Sequence, residues 1–281
     1  MTNTLISASE LNAILDNNVF IFDCRFDLFN PDVGFNQYQS EHIPNAHYLH
    51  LNNDLSGQIA SENGRHPLPK PEQFAALVAS YGITPDSTVV VYDDKNHCYA
   101  SRAWWMLHAL GYTKTVVLNG GFSNWKQQGF TTNSEIPEPP EKQKISSQKP
   151  INWQLPTASV EKVKTAQSQD SFFLIDAREN QRFIGEVEPI DPYAGHIPGA
   201  INKTWLDVID SEGFFKSKEF LADYWSFLQE KDSDSVHYCG SGVTACVNIL
   251  SIIIAGHKPP ALYSGGWSQW CGINPKKPIK S

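Results

Sequence analysis

The sequence predicts an α/β chain built as two tandem copies of one domain, each a mostly parallel sheet flanked by helices. Three observations carry this expectation. Short landmarks recur in the same order in both halves, apolar strand-like runs alternate with helix-like runs, and a polar, proline-rich stretch divides the copies. At roughly 150 residues per domain, 281 residues hold about two domains.

The repeat rests on four pairs. Asp23-Cys-Arg25 returns as Asp176-Ala-Arg178, and His42-Ile-Pro as His196-Ile-Pro. Val-Val-Val-Tyr92-Asp93 answers Ser-Val-His-Tyr238-Cys239, and Asn119-Gly-Gly121 answers Ser264-Gly-Gly266. The offsets are 153, 154, 146 and 145, read from Asp23/Asp176, His42/His196, Tyr92/Tyr238 and Gly121/Gly266. The drop between the second and third pairs places extra residues in the first half, around Leu51 to Pro69. Residues 131–150 carry four prolines and almost no apolar side chains. Proline fixes φ and removes a backbone donor, so an extended linker is expected there. The expected domains are therefore 1–130 and 151–281.

In chain order, Val19 to Phe22 is a short β-branched and aromatic run before an aspartate, the mark of a buried strand. Pro71 to Tyr81 places Phe74, Leu77, Val78 and Tyr81 on one helical face. Val89 to Tyr92 and Thr115 to Leu118 are further strands. The helix between them, Ala100 to Leu110, is apolar nearly all round and should be buried. In the second half Phe172 to Ile175 and Ser235 to Tyr238 are strands, and Val243 to Ala255 is a helix. Near-continuous apolar strands between helices indicate a parallel sheet covered on both faces, with ligands beyond the carboxyl ends of its strands.

Composition excludes several classes. The net charge is −8, with 41% hydrophobic and 19% charged residues, so neither a disordered chain nor the basic footprint of a nucleic-acid binder is expected. The most apolar run, Val247 to Ala255, is too short to span a membrane. No basic segment followed by an apolar core opens the chain, so a cytoplasmic protein with reduced thiols is expected. Five cysteines, Cys24, Cys98, Cys239, Cys246 and Cys271, form no CxxC pair, so neither a disulfide framework nor a zinc site is expected.

One cysteine stands apart. Cys239-Gly240-Ser241-Gly242-Val243-Thr244 joins the end of a strand to the start of a helix. A helix N-terminus favours thiolate, and a glycine-rich turn aims successive amides inward to hold an anion. Ser241 and Thr244 add hydroxyls. The other four cysteines read as small buried side chains. A cysteine phosphatase would need an arginine six positions after the cysteine to grip phosphate, and Ala245 stands there. Sulfur transfer needs only a thiolate and an anion-stabilising loop, with no metal and no organic cofactor.

On these residues the chain resembles the two-domain rhodanese-type sulfurtransferases over nearly its whole length. The matching elements are Asp23-x-Arg25, His42-Ile-Pro, Ala100-Ser-Arg102-Ala-Trp104-Trp105, Asn119-Gly-Gly121, Asp176-x-Arg178, Gly195-His196-Ile-Pro-Gly199 and the Cys239 loop. The resemblance implies a catalytic Cys239 in the second domain and an inactive first domain with Asp93 at the cysteine position. The loop sequence is similar to that of the 3-mercaptopyruvate branch, and its lack of Lys or Arg fits a donor less charged than thiosulfate. Arg182, in Arg-Phe-Ile-Gly, falls where the family binds a donor carboxylate. The second arginine of the animal enzymes is replaced here by Asp191. The resemblance also implies a relay to Ser241 from a first-domain histidine and aspartate, matched by His42 and Asp32, and Arg102 near a cleft. A structural role shared by His42 and His196 accounts for that motif equally well. The implied partners are a small-molecule sulfur donor and a thiol acceptor, such as thioredoxin or a small thiol, or cyanide. A non-catalytic persulfide carrier or partner-binding module is the alternative from another class.

Overall fold

The computed structural model describes residues 3–15, 18–138, 150–166, 173–229 and 235–274. They divide into two compact units, neither continuous in sequence. The first gathers Met1–Gly57, Pro69–Gln154 and Ser211–Phe214, and the second Gln58–Leu68, Leu155–Asp210 and Phe215–Ser281. Residues 58–68 therefore fold with the second unit although they come from the first half of the chain. Residues 139–149, most of the expected linker, lie outside the described residues.

In the first unit the strands are β1 (Leu5–Ile6), β2 (Phe20–Asp23), β3 (Ala46–Tyr48), β4 (Val89–Tyr92) and β5 (Thr115–Leu118). The helices are α1 (Ala8–Ile14), α2 (Asp32–Ser40), α3 (Pro71–Ser80), α4 (Cys98–Ala109) and α5 (Gly121–Gln127). Strand order is β1-β5-β4-β2-β3, with every pairing parallel. Helix α1, not anticipated, is opened by a reciprocal capping box between Ser7 and Glu10. Helix α4 starts at Cys98, two residues before the expected start, and buries Trp104 and Trp105 completely.

The second unit repeats the plan with α6 (Val160–Ala166), β6 (Phe173–Asp176), α7 (Asn180–Phe183), β7 (Ala200–Asn202), α8 (Lys218–Tyr224), β8 (Ser235–Tyr238), α9 (Ala245–Ala255), β9 (Ala261–Leu262) and α10 (Gly266–Ile273). Its order, β7-β6-β8-β9, is parallel throughout and matches β3-β2-β4-β5 of the first. Thr157 forms a lone parallel bridge to Leu262, where the first unit has the short strand β1. Phe172, the expected start of β6, lies outside the described residues.

Repeated ion pairs hold the strand ends. Arg25 Nη2 lies 2.5 Å from Asp23 Oδ2 and donates to Glu41 O, and Arg178 Nη2 lies 2.7 Å from Asp176 Oδ2 and donates to Gly195 O. All four side chains are buried. Breaking such a pair on one side costs roughly 3–5 kcal/mol, so these arginines are structural. The histidines repeat too. His42 Nδ1 meets Tyr38 O and its ring stacks on Tyr38, while His196 Nδ1 meets Phe183 O and its ring stacks on Phe183.

Candidate active site

Strand β8 is paired on both sides, so its carboxyl end opens where parallel sheets hold ligands. Cys239 is the next residue and is 3% exposed. The first two residues of the loop are pinned from behind. Trp267 N donates to Cys239 O at 2.8 Å and Ser268 N to Gly240 O at 2.9 Å. In a planar trans peptide a carbonyl and the next N–H point oppositely, so the amides of Gly240 and Ser241 face away from α10. The amides of Gly240, Ser241, Val243 and Thr244 have no protein acceptor among the described residues. A buried donor left unpaired costs about 1–3 kcal/mol, which makes the loop a cradle suited to an anion. Gly242, at φ 71°, is required, because a Cβ there would lie 2.5 Å from Ser264 Cα. Helix α9 begins at Ala245 rather than Val243, leaving Val243 and Thr244 in the loop.

The histidine that meets Ser241 is His66. Its Nδ1 lies 2.7 Å from Ser241 Oγ, and both residues are buried. Segment 58–68 is laid along the start of α10. Arg65 N donates to Ser268 Oγ at 3.1 Å, and Gln269 Nε2 donates to Glu62 O at 2.6 Å. Gly64, at φ 85°, passes so close that a Cβ would sit 2.6 Å from Gly265 O. The relay expected from His42 and Asp32 is thereby corrected. His42 spends both ring nitrogens on the carbonyls of Tyr38 and Glu135. Asp32 is exposed in the first turn of α2 and makes no hydrogen bond to His42.

Two arginines, Arg65 and Arg182, stand beside the loop where one was expected, and two carboxylates, Glu188 and Asp191, pair with them. Arg182 Nη2 lies 2.7 Å from Glu188 Oε1 and 3.4 Å from Asp191 Oδ2, and its Nε lies 3.3 Å from Glu188 Oε2. Glu188 also accepts the amides of Ile190 and Asp191 and pairs with Arg178 Nη1 at 3.2 Å. Asp191 pairs with Arg65 Nη1. Burial pushes the Asp191 carboxyl above the usual range, against the opposing pull of the Arg65 charge. A Cβ placed on Gly240 would meet Arg65 Nη2 at 2.8 Å and Arg182 Nη2 at 3.6 Å. Gly240 thus leaves room for two guanidinium groups beside Cys239.

The remaining expected residues fall elsewhere. Arg102 is fully buried in the first unit, where its Nε and Nη2 donate to Leu55 O. Burial pushes the Cys24 thiol well up and the Cys271 thiol to about 12, so neither is a nucleophile near neutral pH. Cys246 is enclosed in α9 and its Sγ donates to Gly242 O. In the first unit the corresponding loop presents Asp93. Its Oδ1 accepts the amides of Lys95 and His97, and its Oδ2 those of Tyr99 and Ala100, at 2.8–3.0 Å.

Arg65, His66 and Glu188 were not singled out by sequence. The one available signal was the extra length at Leu51 to Pro69, which contains Gly64-Arg65-His66-Pro67. No helix among the described residues is long and apolar enough to cross a membrane.

The sequence matches the rhodanese-like domain family twice, over residues 7–128 and 159–272. A Pseudomonas aeruginosa protein named "probable 3-mercaptopyruvate sulfurtransferase" is 41% identical over 286 residues, covering 98% of this chain and 97% of the relative. A Mus musculus thiosulfate sulfurtransferase is 33% identical over 243 residues, covering 83% and 78%. The solved structure of a 3-mercaptopyruvate sulfurtransferase from Leishmania major superposes with a TM-score of 0.84 at 29% identity, covering 99% of this chain and 76% of that one.

Proposed function

The chain belongs to the rhodanese-like family, and from that premise we propose that it moves a sulfane sulfur from 3-mercaptopyruvate, through a persulfide on Cys239, to a thiol. The observation that carries this reading is the buried loop. Cys239 stands at its head, and the amides of Gly240, Ser241, Val243 and Thr244 are left without protein acceptors among the described residues.

In the first half-reaction the Cys239 thiolate attacks the donor sulfur. The new S–S bond forms as the donor C–S bond breaks, and its electron pair passes to the enolate of pyruvate. That carbanion takes a proton, and the Ser241 hydroxyl, held by His66, is placed to deliver it. In the second half-reaction an acceptor thiolate takes the outer sulfur and Cys239 thiolate departs. The acceptor is a small thiol or thioredoxin, with cyanide serving equally as a chemical acceptor. A cytoplasmic setting accords with five buried cysteines, none of them in a disulfide among the described residues. The first unit is the catalytically silent copy, with Asp93 at the cysteine position.

Thiosulfate is the second reading. The Cys239 loop itself carries no cation, but Arg65 and Arg182 stand beside Gly240 and suit a doubly charged donor. The ratio of kcat/KM for the two donors, measured on one preparation, separates the readings. For either donor, Cys239→Ser lowers transfer at least about a thousandfold. It also removes the one-sulfur mass gain that intact-mass spectrometry detects on the donor-treated protein. Appreciable residual transfer or a retained adduct would sink the assignment.

A further inference from the structure

We propose that one face of α10 is the mount that sets His66 against Ser241, with Ser268, Gln269 and Gly272 as positioning residues; the proposal rests on the sulfur-transfer reading above.

Segment 58–68 carries His66 but builds little framework of its own. It contains no helix, and its one bridge joins Ala60 to Gly64 in a turn closed by the amides of Asn63 and Gly64 on Ala60 O. A side chain on so short a turn is placed by the scaffold the turn rests on. Here that scaffold is α10. Gly265, Ser268, Gln269 and Gly272 follow at steps of three, one and three residues, so they line one side of the helix and the turn before it. Each meets the segment or makes room for a group that does. Gly64 lies against Gly265 O, with no space for a Cβ between them. Ser268 Oγ accepts the amide of Arg65, the residue before His66, at 3.1 Å. Gln269 Nε2 donates to Glu62 O at 2.6 Å, and its side chain lies over Gly265, where a Cβ would overlap Gln269 Oε1. Gly272, one turn on, faces Ser61, and a Cβ there would overlap Ser61 O. These contacts fix the backbone from Ser61 to Arg65 and leave His66 Nδ1 2.7 Å from Ser241 Oγ. An error of about 1 Å in such a placement costs about a hundredfold in rate. In a helix with nothing laid on it, Gly272→Ala would be favourable, because alanine is the better helix former. Its cost therefore reports the segment rather than the helix.

The two donors ask different things of His66. Sulfur leaves 3-mercaptopyruvate as its C–S bond breaks, and the enolate left behind must take a proton on carbon. Sulfur leaves thiosulfate as its S–S bond breaks, and the electron pair departs on sulfite, which needs no proton. A displaced His66 therefore slows persulfide formation from 3-mercaptopyruvate selectively.

Single-turnover persulfide formation at saturating donor, read on the full chain as the one-sulfur mass gain, tests this. Gly272→Ala should slow the reaction of 3-mercaptopyruvate about 10- to 100-fold, and lower its rate relative to thiosulfate at least about tenfold. Added to His66→Ala it should change the rate less than about twofold, because the mount acts through that ring. Gln269→Glu keeps the shape but removes the donor to Glu62 O, and should lower the same ratio about threefold. It serves as the test if Gly272→Ala folds poorly. Amide exchange over residues 60–66 should quicken in both variants. Equal slowing with both donors overturns the proposal, because α10 would then only hold the fold. An unchanged ratio, unchanged exchange, or losses that add to those of His66→Ala overturn it too. A wild-type chain that gains sulfur from neither donor, while Gly272→Ala still quickens exchange over 60–66, upholds the mount and sinks the sulfur-transfer reading.

Discussion

Two loops end the two central strands of this molecule, and the backbone behind them is nearly the same. Phe122 N donates to Asp93 O at 3.0 Å, and Trp267 N donates to Cys239 O at 2.8 Å. Gly121 and Gly266 have φ of 62° and 58°, and a Cβ on either would come within 2.5 Å of the carbonyl it faces, Asp93 O or Cys239 O. The contents of the loops differ. After β4 the Asp93 carboxylate fills its own loop and takes four amides. After β8 the side chain of Cys239 ends in sulfur, and the amides of Gly240, Ser241, Val243 and Thr244 have no protein acceptor among the described residues. The backbone that gathers amides at the strand end thus belongs to the fold, and a single side chain decides whether an anion is built into the loop.

Substitutions in either unit test this difference between the loops. The largest effect is expected from Asp93→Ala, which leaves buried amides bare in the first loop as they are in the second. At about 1 kcal/mol for each of four hydrogen bonds, unfolding in urea should show a loss of about 4 kcal/mol. A loss under about 1 kcal/mol would mean the carboxylate does not organise the loop.

Ser241→Ala removes the hydroxyl that His66 touches and should lower kcat with 3-mercaptopyruvate about 10- to 100-fold. His66→Ala should do the same, and the double variant should be little worse than either single, because the two groups act as a unit. Additive losses would separate them. His42→Gln should leave kcat unchanged, since its ring serves Tyr38 and Glu135.

A third difference lies within the strands, where β8 carries His237 in place of Val91 of β4. His237 is fully buried with neither ring nitrogen paired among the described residues, and burial pushes its pKa down to about 3. An unfolded histidine titrates near 6.5, so between these values the unfolded chain binds the extra proton, and stability falls as pH drops below about 6.5. At pH 5 this one group should cost about 2 kcal/mol. His237→Val should flatten that part of the stability–pH curve, and an unchanged slope would refute it. The smallest effect is expected from Cys246→Ser, with transfer within about twofold of wild type. A loss comparable to that of Cys239→Ser would point to a dithiol mechanism.

Several elements were legible from residues alone. Val89–Tyr92, Thr115–Leu118 and Ser235–Tyr238 match their expected bounds, and the first two are near-continuous β-branched and apolar runs, as strands covered on both faces require. Most other ends shifted by one or two residues, where caps and the last hydrogen bonds decide. The duplication was readable because both copies keep the same turn-forming and ion-pairing residues. Cys239 was readable because strand end, glycines and helix start lie within one short stretch. The relay was not. The resemblance pointed to His42, but that histidine belongs to a repeated motif that stacks on a neighbour and closes a turn, as His196 does.

Short stretches of sequence thus determined the strands, the helices and the loop that carries Cys239, and the return of those stretches in order determined the repeat. Only the tertiary structure decided which groups surround that thiol. His66 reaches Ser241 across 175 residues of chain, and Arg65 reaches Asp191 across 126. Nothing in a segment's own sequence specifies which unit it packs against. The partner is chosen by the folded surface that accepts it, here the amide of Arg65 on Ser268 and the glycine at 64 pressed against Gly265.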